Sequence, residues 1–186
     1  MVRFELAAGG ATRITLVDGA IDGYVLETDV PENLALNAPV EVSSSWEEDR
    51  FLQGGATDGA RFSTDPSMGW SSNSELDVDH AEWIALDMGE VAQVARVDLL
   101  PRNYDGRDIG RGFPIDFAIE TSRDGVTWEP AVAETDYPQP TTFAVPTFEF
   151  EPRDARFVRV TGTSLRVTDD GHRMQLAEIE VFAPQS

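Results

Sequence analysis

The sequence predicts an all-β domain, an antiparallel sandwich or jelly roll of about eight main strands with no substantial helix. Three observations carry that expectation. Short segments alternate apolar and polar residues with period two, as where Ile115, Phe117, Ile119 and Thr121 are interleaved with Asp116, Ala118 and Glu120. Turn-forming residues separate such segments, and long polar loops lie between them at 47–73 and 102–112. No window shows the helical period of apolar residues that an amphipathic helix requires.

Taken in order, residues 1–30 offer short strands at 3–6, 13–17 and 24–28, broken at Gly9-Gly10 and Asp18-Gly19. This stretch is too short to build a core alone. Residues 1–31 are therefore expected to be an accessory N-terminal β segment or the tail of an upstream domain, and 32–186 the sandwich. Strands follow at 40–44, 82–87, 94–100, 115–121, 142–150, 155–161 and 176–182. Asp124-Gly125 supplies a tight turn after the fourth of these, and Val126 and Trp128 begin the return arm. The runs 156–160 and 177–181 alternate cleanly, which predicts one wet face and one dry face on each. Trp70, Trp83 and Trp128 are expected in the core.

Composition narrows the possible functions. The 186 residues include 34 acidic against 14 basic side chains, a net charge of −20. Such a field repels nucleic acid and anionic lipid, so neither nucleic acid nor membrane is an expected partner. It fits a solvated surface suited to an extracellular or salty habitat, and it favours bound cations. The absence of cysteine excludes disulfides, thiolate metal sites and cysteine nucleophiles. No run approaches the roughly 20 apolar residues of a membrane helix. Residues 1–30 hold no basic-then-apolar leader, and Met1 runs straight into strand-like sequence, as expected of a piece of a longer protein. There is no Ser-His-Asp spacing, phosphate loop or His-rich cluster, and with 34 acids a carboxylate pair carries little weight. A catalytic role is not expected.

Several segments, in order, resemble one family: Asn33-Leu34-Ala35, Ser43-Ser44-Ser45, Ala56-Thr57-Asp58-Gly59, Gly69-Trp70-Ser71-Ser72, the run 82–89, the run 97–102, Ser122-Arg123-Asp124-Gly125-Val126-Thr127-Trp128, the run 155–160 and the run 175–181. From Asn33 to Pro184 the chain is similar to the discoidin, or coagulation-factor V/VIII type C, superfamily, and most like bacterial family 32 carbohydrate-binding modules. The resemblance implies a discoidin-like β-sandwich whose loops at one end carry function.

It also implies one structural calcium. Asp58 and Glu178 match the family's carboxylate positions, and Gly55, Ala60 and Ala177 its carbonyl donors. Calcium takes such mixed oxygen sets. Met68 stands where relatives often place a threonine, with Ser67 or Thr64 as replacement oxygens. The competing reading makes Asp58 a turn cap and Glu178 a surface carboxylate.

For the ligand, sugar recognition needs a flat ring together with planar groups that read adjacent hydroxyls. The loop Arg102-Asn103-Tyr104-Asp105-Gly106-Arg107-Asp108 contains both. Arg102 matches the hydroxyl-reading arginine of galactose-binding relatives, or else it ends a strand in an internal ion pair. Tyr104 is a stacking platform or a rim residue, and Asp105 or Arg107 falls near the family's asparagine. Ser71 and Ser74 stand where relatives carry a histidine and an aromatic, which argues against galactose by the usual mode. Trp46, in an acidic loop, is a candidate stacker, and His80 and His172 are candidates for ligand contact.

The resulting expectation is a non-catalytic carbohydrate-binding module of a larger bacterial enzyme, its parent a glycoside hydrolase, extracellular or at the cell surface. Its partners would be carbohydrate and the upstream or downstream domains of that enzyme. The alternative is a protein-binding or interdomain-packing module without sugar affinity.

Overall fold

The computed structural model describes residues 31–63, 67–75, 78–106 and 108–185. The expected strands at 3–6, 13–17 and 24–28 lie outside them. In chain order the strands are β1 (Val40–Val42), β2 (Trp70–Ser71), β3 (Glu82–Pro101), β4 (Asp116–Ser122), β5 (Glu129–Glu134), β6 (Thr147–Ser164), β7 (Val167–Thr168), β8 (Gly171–His172) and β9 (Gln175–Phe182). Two 3-10 turns, Gln53–Thr57 and Tyr104–Gly106, are the helical segments among the described residues.

All pairings are antiparallel, and the two long strands organise them. The first half of β3 lies between β1 and the second half of β6, which continues to β4 and β5. The second half of β3 lies between the first part of β6 and β9, which continues to β2. β3 and β6 thus belong to both layers of the sandwich. The alternation predicts separate strands at 82–87 and 94–100, and at 142–150 and 155–161. Instead each pair is one strand, with β6 starting at Thr147 and residues 142–146 outside it, and the β3–β6 pairing continues through register shifts between Asp87 and Ala92 and between Val94 and Arg96. A bulge can turn a strand without ending it.

The core follows the period-two pattern. Phe117, Ile119 and Thr121 of β4 and Val158 and Val160 of β6 are buried. Phe113, Phe117, Tyr137 and Phe148 form an aromatic cluster, with Phe117 edge-on to Phe113 at 5.9 Å and to Phe148 at 5.4 Å. Of the three tryptophans expected inside, Trp70 is fully buried, whereas Trp83 and Trp128 are half-buried. Trp128 lies 4.2 Å beneath the Arg159 guanidinium, which pairs with Glu120 through two bonds of 2.8 and 2.9 Å. Its ring caps a cross-strand ion pair on the outer face rather than plugging the hairpin.

β9 departs further from expectation, because every one of its residues is buried. It lies between β2 and β3, and the turn Gln53–Thr57 packs over it. Its second face therefore meets protein where a wet face was expected.

The β4–β5 turn shows how local chemistry positions a loop. Asp124 Oδ1 accepts the backbone N–H groups of Val126 and Thr127 at 2.9 and 2.8 Å, and Gly125 N–H donates to Ser122 Oγ at 2.9 Å. Gly125 has φ +75, a conformation that glycine adopts without strain. The N–H of Thr127, then that of Val126 and the Ser122 hydroxyl, hold the Asp124 carboxyl at about 2, below its ordinary 3.8. A depressed carboxylate stabilises the fold above pH 3.8, and that contribution disappears as the pH falls through about 2. Carboxyl-carbon NMR titration should place Asp124 near that lower value. A midpoint at 3.8 or above would contradict this description of the turn.

Candidate functional site

At the end of the sandwich where β3 stops and β9 starts, the loops enclose an open cleft of about 320 Å³. Trp46 follows β1 and is tied to β2 by its N–H to Ser71 O at 2.9 Å. Its ring tilts against Phe51 at 5.7 Å and lies 4.9 Å from the Arg173 guanidinium. Arg102 comes directly after β3, Tyr104 opens the turn Tyr104–Gly106, and Arg111 comes from the loop before β4. Asp49 and Arg50, also on the lining, have φ of +50 and +71. Left-handed backbone at two successive non-glycine residues costs roughly 1–2 kcal/mol each. Bonds from Met68 N–H to Arg50 O and from Leu52 N–H to Gly69 O, at 3.0 and 3.1 Å, hold the loop there.

The cleft is rich in arginine. Arg50, Arg102, Arg111 and Arg173 line it against Asp49 and Asp170. Burial pushes the Arg102 guanidinium below its ordinary value, and Arg111 and Arg173 push it the same way against Asp108. Arg102 Nε and Nη1, Arg173 Nε and Gln175 Oε1 are buried without a hydrogen-bond partner.

A second polar centre lies under the loop that follows Gln53–Thr57. Glu178 of β9 is fully buried. Its Oε1 accepts Gly59 N–H at 3.1 Å, while Oε2 has no partner. Burial above all pushes this carboxyl up to about 8, with Asp58 and Glu180 acting in the same direction and the Gly59 bond opposing. Asp58 is exposed and does cap its turn, accepting Ala60 N–H at 2.8 Å. The turn-cap reading thus holds for Asp58, whereas Glu178 is not a surface carboxylate. Gly55 and Ala177 are buried beside them. Among the described residues no group of three or more His, Asp or Glu side chains is placed to hold a metal. An ion here would draw on two carboxylates, and its other ligands would be carbonyls or water. An orphaned, buried carboxylate oxygen beside a second carboxylate fits an oxygen-seeking cation.

The sequence profile of the F5/8 type C domain matches residues 39–179. The chain belongs to this family. No curated protein matches it. Among solved structures, this F5/8 type C domain is similar to chitosan-binding module 1 of a chitosanase/glucanase from Paenibacillus sp. IK-5. The two are 27% identical, with a TM-score of 0.62 over 82% of this chain and 99% of that one. CpGH89CBM32-5 from Clostridium perfringens, solved with GalNAc-β-1,3-galactose, is 18% identical, with a TM-score of 0.64 over 82% and 100%. The CBM32 of AlyQ, solved with 4,5-unsaturated mannuronic acid, is 21% identical, with a TM-score of 0.58 over 80% and 98%. The last two likenesses show the fold alone.

Within the F5/8 type C domain, Trp46, Arg102 and Tyr104 come together on the cleft. Asp105 belongs to the turn that Tyr104 opens, and Arg107 and Thr64 lie outside the described residues. His80 and His172 do not line the cleft. His80 bonds Glu82 and Val78 O, each at 3.1 Å, and His172 bonds Leu165 O at 3.0 Å with Asp79 3.6 Å away. These contacts tie loops to strands. Ser71, at the family's histidine position, is fully buried and bonded to Ser72 O and Gln175. Met68 faces the cleft, and Ser67 Oγ accepts Gly69 N–H at 3.2 Å.

Arg111, Arg173 and Gln175 escaped the sequence reading. Arg173 follows the Asp169-Asp170-Gly171 turn and reads as a solvated charge, yet it is 4% exposed. Asn103 is a staple: its Oδ1 accepts Ser63 N–H at 2.8 Å and its Nδ2 donates to Arg61 O at 3.1 Å.

Proposed function

We propose that this F5/8 type C domain is a non-catalytic carbohydrate-binding module that holds a glycan in the cleft between Trp46, Arg102 and Tyr104. The observation that carries this reading is the convergence of two aromatic rings and guanidinium groups in one open hollow at the loop end. Rings cover the apolar face of a pyranose, and guanidinium N–H pairs read adjacent oxygens. The likeness to a chitosan-binding module supports it. The module would act outside the cell or at its surface, concentrating the catalytic domain of a glycoside-active parent near its substrate. One structural calcium at Asp58 and Glu178, with backbone oxygens of Gly55, Ala60 and Ala177, belongs to the same reading. When bound it would neutralise the buried carboxylate and brace the loop after Gln53–Thr57.

A glycan array followed by calorimetry in excess calcium tests the reading. Trp46→Ala and Arg102→Ala are each expected to lose about 2 kcal/mol of binding, roughly thirtyfold in Kd, with the fold intact by circular dichroism. Silence across a broad plant, host and microbial panel would reject the sugar reading. Unchanged affinity in both variants would move the site elsewhere.

A further inference from the structure

We propose that the saccharide this cleft takes is acidic, presenting a carboxylate or sulfate ester to Arg102, Arg111 and Arg173. The inference rests on the carbohydrate-binding reading and names the chemical class of its ligand. In a chain of net charge −20, Arg102, Arg111 and Arg173 meet on one lining. A neighbouring hollow shares Arg111 but balances it and Arg166 with Asp108 and Asp169, so the cationic excess belongs to the first cleft.

The internal counter-ions are solvent-exposed aspartates, one of which, Asp170, also lines the cleft. Arg111 reaches Asp169 and Asp170 at 2.9 and 3.6 Å, and Arg173 reaches Asp170 at 3.8 Å. Those aspartate side chains are 87% and 61% exposed, where water screens them. The inner nitrogens are the ones left over: Arg102 Nε and Nη1, and Arg173 Nε on a side chain only 5% exposed. Unpartnered guanidinium donors that repel one another away from water are costly, and an oxyanion answers both the hydrogen bonds and the charge. A neutral hydroxyl answers only the former. A glucosaminium group would add to the repulsion.

The test uses the whole chain in excess calcium, with calorimetry against oligogalacturonate and oligomannuronate, each beside its methyl ester, and against a sulfated galactan oligosaccharide, its desulfated form and chitotriose. Binding of an acidic member about tenfold or more tighter than its neutral match is expected, and which pair shows the gap separates carboxylate from sulfate. In Arg111→Gln, which leaves buried Arg173 in place, that ratio should fall toward one. Equal affinity for acidic and neutral partners, or tighter binding of chitotriose, overturns the inference and leaves the carbohydrate reading standing. Silence of every saccharide in this set overturns the inference, and silence across the broad glycan array as well overturns both. A ratio unchanged in Arg111→Gln and in Arg102→Gln alike also overturns it, because the preference would then arise elsewhere.

Discussion

Gly69→Ala is expected to destabilise the domain by about 3 kcal/mol or more, and to disturb the cleft and the proposed cation site together. Gly69 has φ +89, and a Cβ there would stand 2.2 Å from Leu176 O and 2.6 Å from Ala177 Cα. These are backbone atoms of β9, which is buried throughout, so they cannot move aside cheaply. On the opposite side, a Cβ on Gly55 would meet Gly69 O at 2.4 Å. Three backbones are therefore stacked without side chains between them. The turn Gln53–Thr57 can lie on β9 only because of that stack. It brings Asp58 to Glu178 and sets Met68 on the cleft lining. Urea denaturation of Gly69→Ala beside Gly54→Ala provides the contrast, since a Cβ at Gly54 meets nothing within 4 Å. The Gly54 variant should stay within about 1 kcal/mol of the parent. If Gly69→Ala also does, the close-approach account is wrong.

Calcium should raise the melting temperature by several degrees, and Glu178→Gln should abolish the response. A ligand that binds only the folded state stabilises it by about 2.7 kcal/mol at a hundredfold excess over Kd. For a domain of this size that corresponds to roughly 5–10 °C. Without the ion, Glu178 is a fully buried carboxyl with one unpartnered oxygen. Glutamine has a similar shape and no charge to bury, so the variant in chelator should be at least as stable as the parent in chelator. Scanning calorimetry of both proteins, in calcium and in chelator, measures the four values required. A full calcium shift in Glu178→Gln, or none in the parent, would remove the ion from Asp58 and Glu178.

The turn at Ser122-Arg123-Asp124-Gly125 was legible because its donors and acceptors lie within a few residues of one another. The inward set Phe117, Ile119 and Thr121 was legible because a strand's period of two is a local property. The continuity of β3 through Asp87–Ala92 was not legible, because a bulge and a loop share the same polar residues there. Trp128 reads as core in the sequence, whereas its ring lies under Arg159, a neighbour from another strand that no local pattern names.

The amino-acid order alone therefore settled the all-β class, the course of most long strands, the Asp124-Gly125 turn and the family resemblance. Only the tertiary structure decided which polar groups leave water. Glu178 is carried inside because β9 is flanked on both edges and covered by a distant turn, and Arg173 because Trp46 lies against it. Desolvation belongs to a place in space rather than a position in sequence, so the same glutamate or arginine reads as surface until the segments around it are known.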